Sequence, residues 1–443
     1  MEYYLFYSYI VCFLVISRHF IRKKNKVIGC KNNIDPFSVF TAVFFAYSAI
    51  GAFDRIGLYK NSLFVPIVFY MSAVLGYLAM SVGYINTLVK HKIRFSFIGT
   101  EYKIGFMPDF SLYKSRESRL MFFMFLFVVL LNFSKFIGLF TNMGSGISYA
   151  EVALRSERTA SSGPLSFLDS LFALFMISFP IYNILKSKKI SVVDILLLIG
   201  FILFSLTSGH RTSLVEVIIA LMVVVNYRIK LIKAKYLAII GVAGLFFLVA
   251  LGHLRAESNI KDMYSLLSEN GKELFELASS GEFSNTVGTC FTYIERDVNG
   301  EGAINFGLSW LNEVAMFIPT SLWHNRPLPL PEKYVKQFFP EAPDGYGKGW
   351  FVLTDGYMAF GVFGVILEMF LLGIVLAKCY LYFMRHNDDL SMIMYIFLLC
   401  YTFTLVRTSF LGTLKNYLIE MIPFLFIIIL SKNRGASIHK AYE

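Results

Sequence analysis

Residues 254–350 read LRAESNIKDMYSLLSENGKELFELASSGEFSNTVGTCFTYIERDVNGEGAINFGLSWLNEVAMFIPTSLWHNRPLPLPEKYVKQFFPEAPDGYGKGW, the one long segment of the chain that apolar runs do not dominate. The rest is built for a membrane. The 443 residues are 56% hydrophobic, 17% aromatic and 16% charged, with a mean hydropathy of +0.61, whereas soluble domains carry about 25% charged residues. The class is therefore polytopic membrane protein. The 46 Phe and 26 Tyr suit lipid-facing and interfacial surfaces, and no internal repeat is visible.

Outward from this segment, apolar runs centre near Phe45, Ala73, Val128, Leu174, Leu198, Ile219 and Gly244 before it, and near Leu371, Phe397 and Phe426 after it. Each is long enough to cross about 30 Å of hydrocarbon at 1.5 Å per residue. Met1 to Ile16 is apolar too, without a basic leader or a small-residue cleavage site, and Arg18, Arg22, Lys23, Lys24 and Lys26 follow at once. It reads as an uncleaved first span with its N-terminus outside. The expected fold is all-α, with about eleven transmembrane helices. Residues 1–254 would hold spans 1–8, 255–350 a large outer loop with short helices, and 351–443 spans 9–11.

Charge orients this plan. Segments 18–36, 90–119, 186–190, 228–235, 378–390 and 431–443 together hold 25 Lys and Arg, against 7 in the short segments 54–62, 141–164, 208–211 and 407–416 and 8 in 255–350. Basic short loops stay inside and long loops count little, so 255–350 is expected outside and the C-terminus inside. The net charge of +11 is then a signature of membrane orientation, and no nucleic-acid partner is implied. The cysteines Cys12, Cys30, Cys290, Cys379 and Cys400 are scattered without a CxxC, so neither a disulfide framework nor a thiolate metal site follows.

Within the long loop, Ile304, Leu308, Leu311, Ala315 and Ile318 follow one helical face and predict an amphipathic helix lying on the membrane surface or docked on the bundle. Pro327, Pro329 and Pro331 alternate, which favours a stiff extended backbone. It is either a strut holding His324 and Arg326 or a connection without a chemical role.

The polar residues suggest where chemistry sits. Ser208 to Ser213 joins two spans with almost no loop, putting Arg211 at a helix N-terminus, where backbone N–H groups are unpaired and the dipole is already positive. With the Thr212 and Ser213 hydroxyls this makes a phosphate-sized site; the competing reading is an arginine snorkelling to headgroups. Arg255 follows His253 by two residues at a helix C-terminal end, where a cation is favoured in any case. Arg407 lies about one turn below the outer surface, where an ionisable group usually faces water or a partner. Lys135, Asp169, Glu216 and Glu420 fall toward outer span ends, and Glu368 near mid-membrane; they read as ion pairs or as a polar cavity opening outward. No HxxxH, HExxH, acidic DxD-like cluster, GxSxG or P-loop is present, so neither metal nor cofactor is expected. Arginine holds phosphate oxygens bidentately without a metal.

Taken together, Ser208-Gly209-His210-Arg211-Thr212, the stretch from Ile318-Pro319 to Arg326-Pro327, residues 349–364 (GWFVLTDGYMAFGVFG) and Arg407 resemble bacterial O-antigen, or oligosaccharide repeat-unit, polymerases of the Wzy type. The likeness covers the whole hydropathy plan. Asp355 stands where that family often has Glu, and His210 where a small residue is common. The resemblance implies a GT-C-like helical fold and a metal-independent glycosyltransferase of the bacterial inner membrane, working on its periplasmic face. Its substrates would be undecaprenyl-diphosphate-linked oligosaccharides, and its partners membrane lipids and a chain-length regulator. Arg211 and Arg255, with Arg407 next, would stabilise the leaving diphosphate. His324 and Asp355 are the candidate bases, and His210, Arg326 and Tyr357 candidate substrate contacts. Two other functions compete: an O-antigen ligase using the same donor, and a transporter or flippase of an anionic lipid-linked substrate, which would call for duplicated halves.

Overall fold

Long apolar helices dominate the computed structural model, which describes residues 2–29, 32–59, 63–91, 102–105, 115–132, 164–207, 211–237, 239–241, 243–244, 281, 283–318, 322–342, 349–386 and 388–432. In chain order the elements are α1 (Glu2–Ile28), α2 (Pro36–Phe45), a π-helical segment (Ala46–Gly51), α3 (Ala52–Ile56), α4 (Phe64–His91), β1 (Lys103–Gly105), α5 (Arg116–Leu131), α6 (Pro164–Ser187), β2 (Lys189–Ser191), α7 (Val192–Thr207), α8 (Arg211–Val224), α9 (Ser284–Val298), α10 (Leu308–Ala315), α11 (Leu330–Phe338), α12 (Leu353–His386), α13 (Asp389–Leu405) and α14 (Phe410–Lys432). Among the described residues, six helical stretches are long and apolar enough to cross a membrane: Tyr4–Ile28, Pro36–Ile56, Phe64–His91, Ser170–Ser187, Leu353–His386 and Phe410–Ser431. Val192–Ser205 and Asp389–Leu405 are shorter apolar helices. The apolar runs of the sequence fall in helices, apart from that around Gly244, most of which lies outside the described residues.

The chain divides into two interleaved compact units, Met1–Ser96 with Tyr264–Arg385 and Tyr401–Asn416, and Phe97–Met263 with His386–Cys400 and Tyr417–Glu443. In the first, α1 continues through its basic run because Lys24 turns inward. Its Nζ donates to Asn32 O (2.7 Å), Ser38 Oγ (2.8 Å) and the Asp35 carboxylate, with neither charged side chain exposed. Asp35 in turn caps α2, accepting from the backbone N–H of Phe37 (3.1 Å) and Ser38 (3.2 Å) ahead of a proline in the first turn. The core is aromatic: Phe13 packs on Tyr77 (4.5 Å between ring centres), Phe69 on Phe291 (4.4 Å) and Phe44 on Phe351 (5.7 Å). α4 and α12 cross backbone to backbone, since a Cβ on Gly83 would lie 2.4 Å from Phe370 O and one on Gly373 2.2 Å from Met80 O.

α12 is not one straight rod. Phe360 (φ −148°, ψ 32°) and Gly361 (φ 61°, ψ −145°) leave the helical region, the latter in a conformation open to glycine alone. The short limb Leu353–Ala359 folds back over the long limb so tightly that a Cβ on Gly364 would stand 2.0 Å from Gly356 O. The Gly-rich stretch 356–364 therefore encodes a helical hairpin, not the simple start of a span.

In the second unit, Phe125 stacks on Phe179 (4.4 Å) between α5 and α6, Asn183 Nδ2 donates to Asp194 Oδ1 (3.0 Å), and the Tyr227 and Tyr395 hydroxyls pair at 2.9 Å. β1 and β2 form a parallel two-stranded ladder, Lys103 opposite Lys189. Within each unit, segments assigned by charge to one face meet each other: β1 with β2, Arg228 with Asp389 (3.5 Å), and Arg385 with His91 (3.1 Å). The opposite-face set behaves likewise, Arg55 Nε donating to Ser284 Oγ at 2.9 Å.

Two local expectations change in detail. The amphipathic helix is present as α10, but its apolar residues Leu308 and Leu311 are exposed while Ser309 and Glu313 are buried. The proline strut stays extended only as far as Pro329 (φ −51°, ψ 142°), and Pro331 lies in the first turn of α11. A proline there blocks no hydrogen bond, because the first-turn N–H groups have no intrahelical partner.

Candidate functional site

The first unit contains a buried polar cluster built from four separate pieces of sequence. After α13 the chain turns through Val406 to Thr408, and residues 350–352 run alongside this turn, Trp350 N donating to Arg407 O (3.0 Å) and Val352 N to Val406 O (3.1 Å). Ser409 then caps α14 by accepting from Gly412 N at 3.2 Å. The short limb of α12 brings Asp355 to the same place. Its Oδ1 accepts from the Trp350 indole (2.5 Å) and its Oδ2 from Phe410 N–H (3.1 Å), the first free donor of α14. Asp355 thus ties the loop end, the hairpin and the helix start together.

Two more carboxyls join it. Glu313, on the inward face of α10, accepts from Ser409 Oγ through Oε2 (2.7 Å), while Glu368, on the long limb of α12, accepts from the Trp310 indole through Oε2 (2.9 Å). The remaining oxygen of each, Glu313 Oε1 and Glu368 Oε1, is buried without a hydrogen-bond partner. Glu313, Asp355 and Glu368 are 1%, 1% and 3% exposed, and the charge of Glu313 acts on both others. Burial pushes the Glu313 carboxyl above its ordinary range, against the opposing pull of the Ser409 hydroxyl, neighbouring backbone N–H groups and the Lys415 ammonium. Lys415 also feels Arg326, so two cations lie at the edge of an acidic centre. Among the described residues, no group of three or more His, Cys, Asp or Glu side chains is disposed to hold a metal ion.

The residues singled out by sequence fare differently. Asp355 sits at the centre of the cluster, while Arg407 contributes a backbone carbonyl that accepts from Trp350 N–H. Tyr357 is buried and donates to Asp297 Oδ2 at 3.0 Å, at the end of α9. Arg326 uses Nη1 to cap the carbonyls that end α10, Met316 O (3.1 Å) and Ile318 O (2.8 Å). His324 is exposed on the preceding turn. Arg211 is the first residue of α8, in the second unit, and its backbone alone is described; His210, His253, Arg255 and Lys135 lie outside the described residues. In that unit Glu216 feels the charge of Glu420, a like-charged neighbour.

Sequence reading missed Glu313, Ser409 and the two indoles. The available signal was the polar pair Ser309 and Glu313, four residues apart on one face of α10. Read by soluble-protein habit that face points to water, and here it points inward.

Comparison with protein-family models, curated proteins and solved structures finds no match to this chain.

Proposed function

We propose that the chain is a glycosyltransferase of the bacterial inner membrane that joins undecaprenyl-diphosphate-linked oligosaccharide repeat units on the periplasmic face. The observation that carries this reading is the union of two separated stretches of the resemblance, residues 349–364 and Arg407, in one hydrogen-bonded centre around Asp355. In this scheme the hydroxyl of one lipid-linked unit attacks the anomeric carbon of the growing chain. A new C–O bond forms, the bond to the diphosphate breaks, and undecaprenyl diphosphate leaves with the electron pair. The resemblance, not a described contact, gives Arg211 and Arg255 the task of countering the charge that gathers on the diphosphate as that bond breaks.

The geometry refines the base. Both Asp355 oxygens already accept hydrogen bonds, so Asp355 serves as a positioning residue. Glu313 keeps Oε1 unpartnered and is the better acceptor for the hydroxyl proton. Arg326 and Lys415 at its edge suit an anionic substrate.

Deleting the gene from its host tests the reading: surface polysaccharide should stop at a single repeat unit, and the wild-type gene should restore the ladder. Washed membranes supplied with the lipid-linked unit should release undecaprenyl diphosphate as polymer grows, in EDTA as well. A ladder of normal length in the deletion strain overturns the proposal, and loss of even the single unit points to the ligase or flippase reading.

A further inference from the structure

α10 lies beside a span with its polar face turned into the protein and its apolar face turned out. Every exposed residue between Phe306 and Ile318 is apolar: Phe306, Leu308, Leu311, Val314, Phe317 and Ile318. Phe306 is 82% exposed and Leu311 67%. The inward face is held in several ways. Asn305 N donates to Met358 O (2.8 Å) and Gly307 N to Ala359 O (3.2 Å), and the Trp310 ring meets Phe360 edge-on at 5.5 Å while its indole N–H reaches Glu368.

These contacts fix the depth of α10. Glu368 is seven residues beyond the Gly361 break, about 10 Å along the long limb. That limb, Gly361 to His386, is about 39 Å long, more than the roughly 30 Å of hydrocarbon it would cross. Measured back about 30 Å from Arg385, the hydrocarbon begins near Val365, so the Trp310 contact with Glu368 lies inside it. Below this level the long limb of α12 presents exposed apolar side chains of its own, Leu367 at 36% and Leu371 at 45%. On a spanning helix such a face meets acyl chains.

We infer that α10, although part of the long polar segment, is a membrane-inserted interfacial helix whose Leu308, Leu311 and Val314 side chains, with Phe317 just past its end, enter the acyl region of the leaflet on its side. Its partner is lipid. Unlike a free surface helix, whose polar face meets water, α10 spends its polar face on the acidic cluster. Lipid therefore reaches the wall of that cluster directly, and this holds whatever reaction the chain performs.

Photo-crosslinking in the native membrane tests the inference. A benzophenone amino acid is placed at Leu311 or Phe317, with Leu371 as the lipid-facing reference and Glu301 as the water-side reference. Phospholipid adducts at 311 and 317 comparable in yield to those at 371, and absent at 301, are expected. Adducts to a second copy of the chain or to another polypeptide would mean that protein covers this face. A yield at both positions no higher than at 301, with the 371 reference reacting, would mean that water does. Either result overturns the inference.

Discussion

The three buried carboxyls should respond unequally to amide replacement, because they use their oxygens differently. Asp355 accepts with both, from the Trp350 indole at 2.5 Å and the Phe410 N–H at 3.1 Å. In Asp355→Asn only one side-chain atom is an acceptor, so the amide NH2 must face either Trp350 or Phe410, donor against donor. The change loses one hydrogen bond and strands a buried N–H, together about 1.5–4.5 kcal/mol. Glu368 uses Oε2 alone, and Oε1 has no partner. Glu368→Gln can turn its carbonyl to Trp310 and its NH2 into the unpartnered side, so its cost should stay within about 1 kcal/mol. Glu313→Gln has the same freedom toward Ser409. Reversible unfolding in mixed detergent micelles, followed by Trp fluorescence, reads the difference directly. If Asp355→Asn unfolds where the wild type does, or Glu368→Gln is equally destabilised, the description of the cluster is wrong. The glycan ladder adds a second readout: Glu313→Gln should keep stability yet lose polymer, whereas Asp355→Asn should lose both.

Four further outcomes are expected. Lys24→Met leaves the Asp35 carboxylate buried without its ammonium and should cost about 3–5 kcal/mol in the same unfolding assay, most of it recovered by adding Asp35→Asn. Gly364→Ala drives a methyl to 2.0 Å from Gly356 O, an overpacking cost of at least about 1–3 kcal/mol that should appear as lower accumulation in the membrane. Because Glu313 titrates above its ordinary range, the folded state holds its proton more tightly; that contribution is complete below about pH 4.3 and disappears as pH rises through the folded value. A pH series should show wild type losing stability relative to Glu313→Gln on going alkaline, and parallel curves would exclude the shift. Arg211→Ala should cut polymerisation by roughly 100- to 1000-fold at normal protein abundance, with Arg211→Lys restoring part of it; a normal ladder would mean that Arg211 serves only the headgroups.

The all-helical, membrane-suited character was legible in the sequence, and so were the six long apolar helices among the described residues, because burying backbone in hydrocarbon demands internally paired helices, and a run of about twenty apolar residues states that demand locally. The start of α8 at Arg211 was legible for the same reason, as a break between two such runs. The acidic cluster was not. Glu313, Asp355, Glu368 and Ser409 lie on α10, both limbs of α12 and the start of α14, and what unites them is the backbone reversal at Gly361 and the close pass of Gly356 over Gly364. A glycine in sequence announces permission for such a turn, not the partner it will meet. Nor could periodicity say which face of α10 looks inward, since the pattern of Leu308, Leu311 and Val314 is the same whether they meet protein or lipid. Tertiary contact decided it: Trp310 found an acceptor in Glu368 and Glu313 a donor in Ser409, and a buried polar face with partners leaves the apolar one to the bilayer.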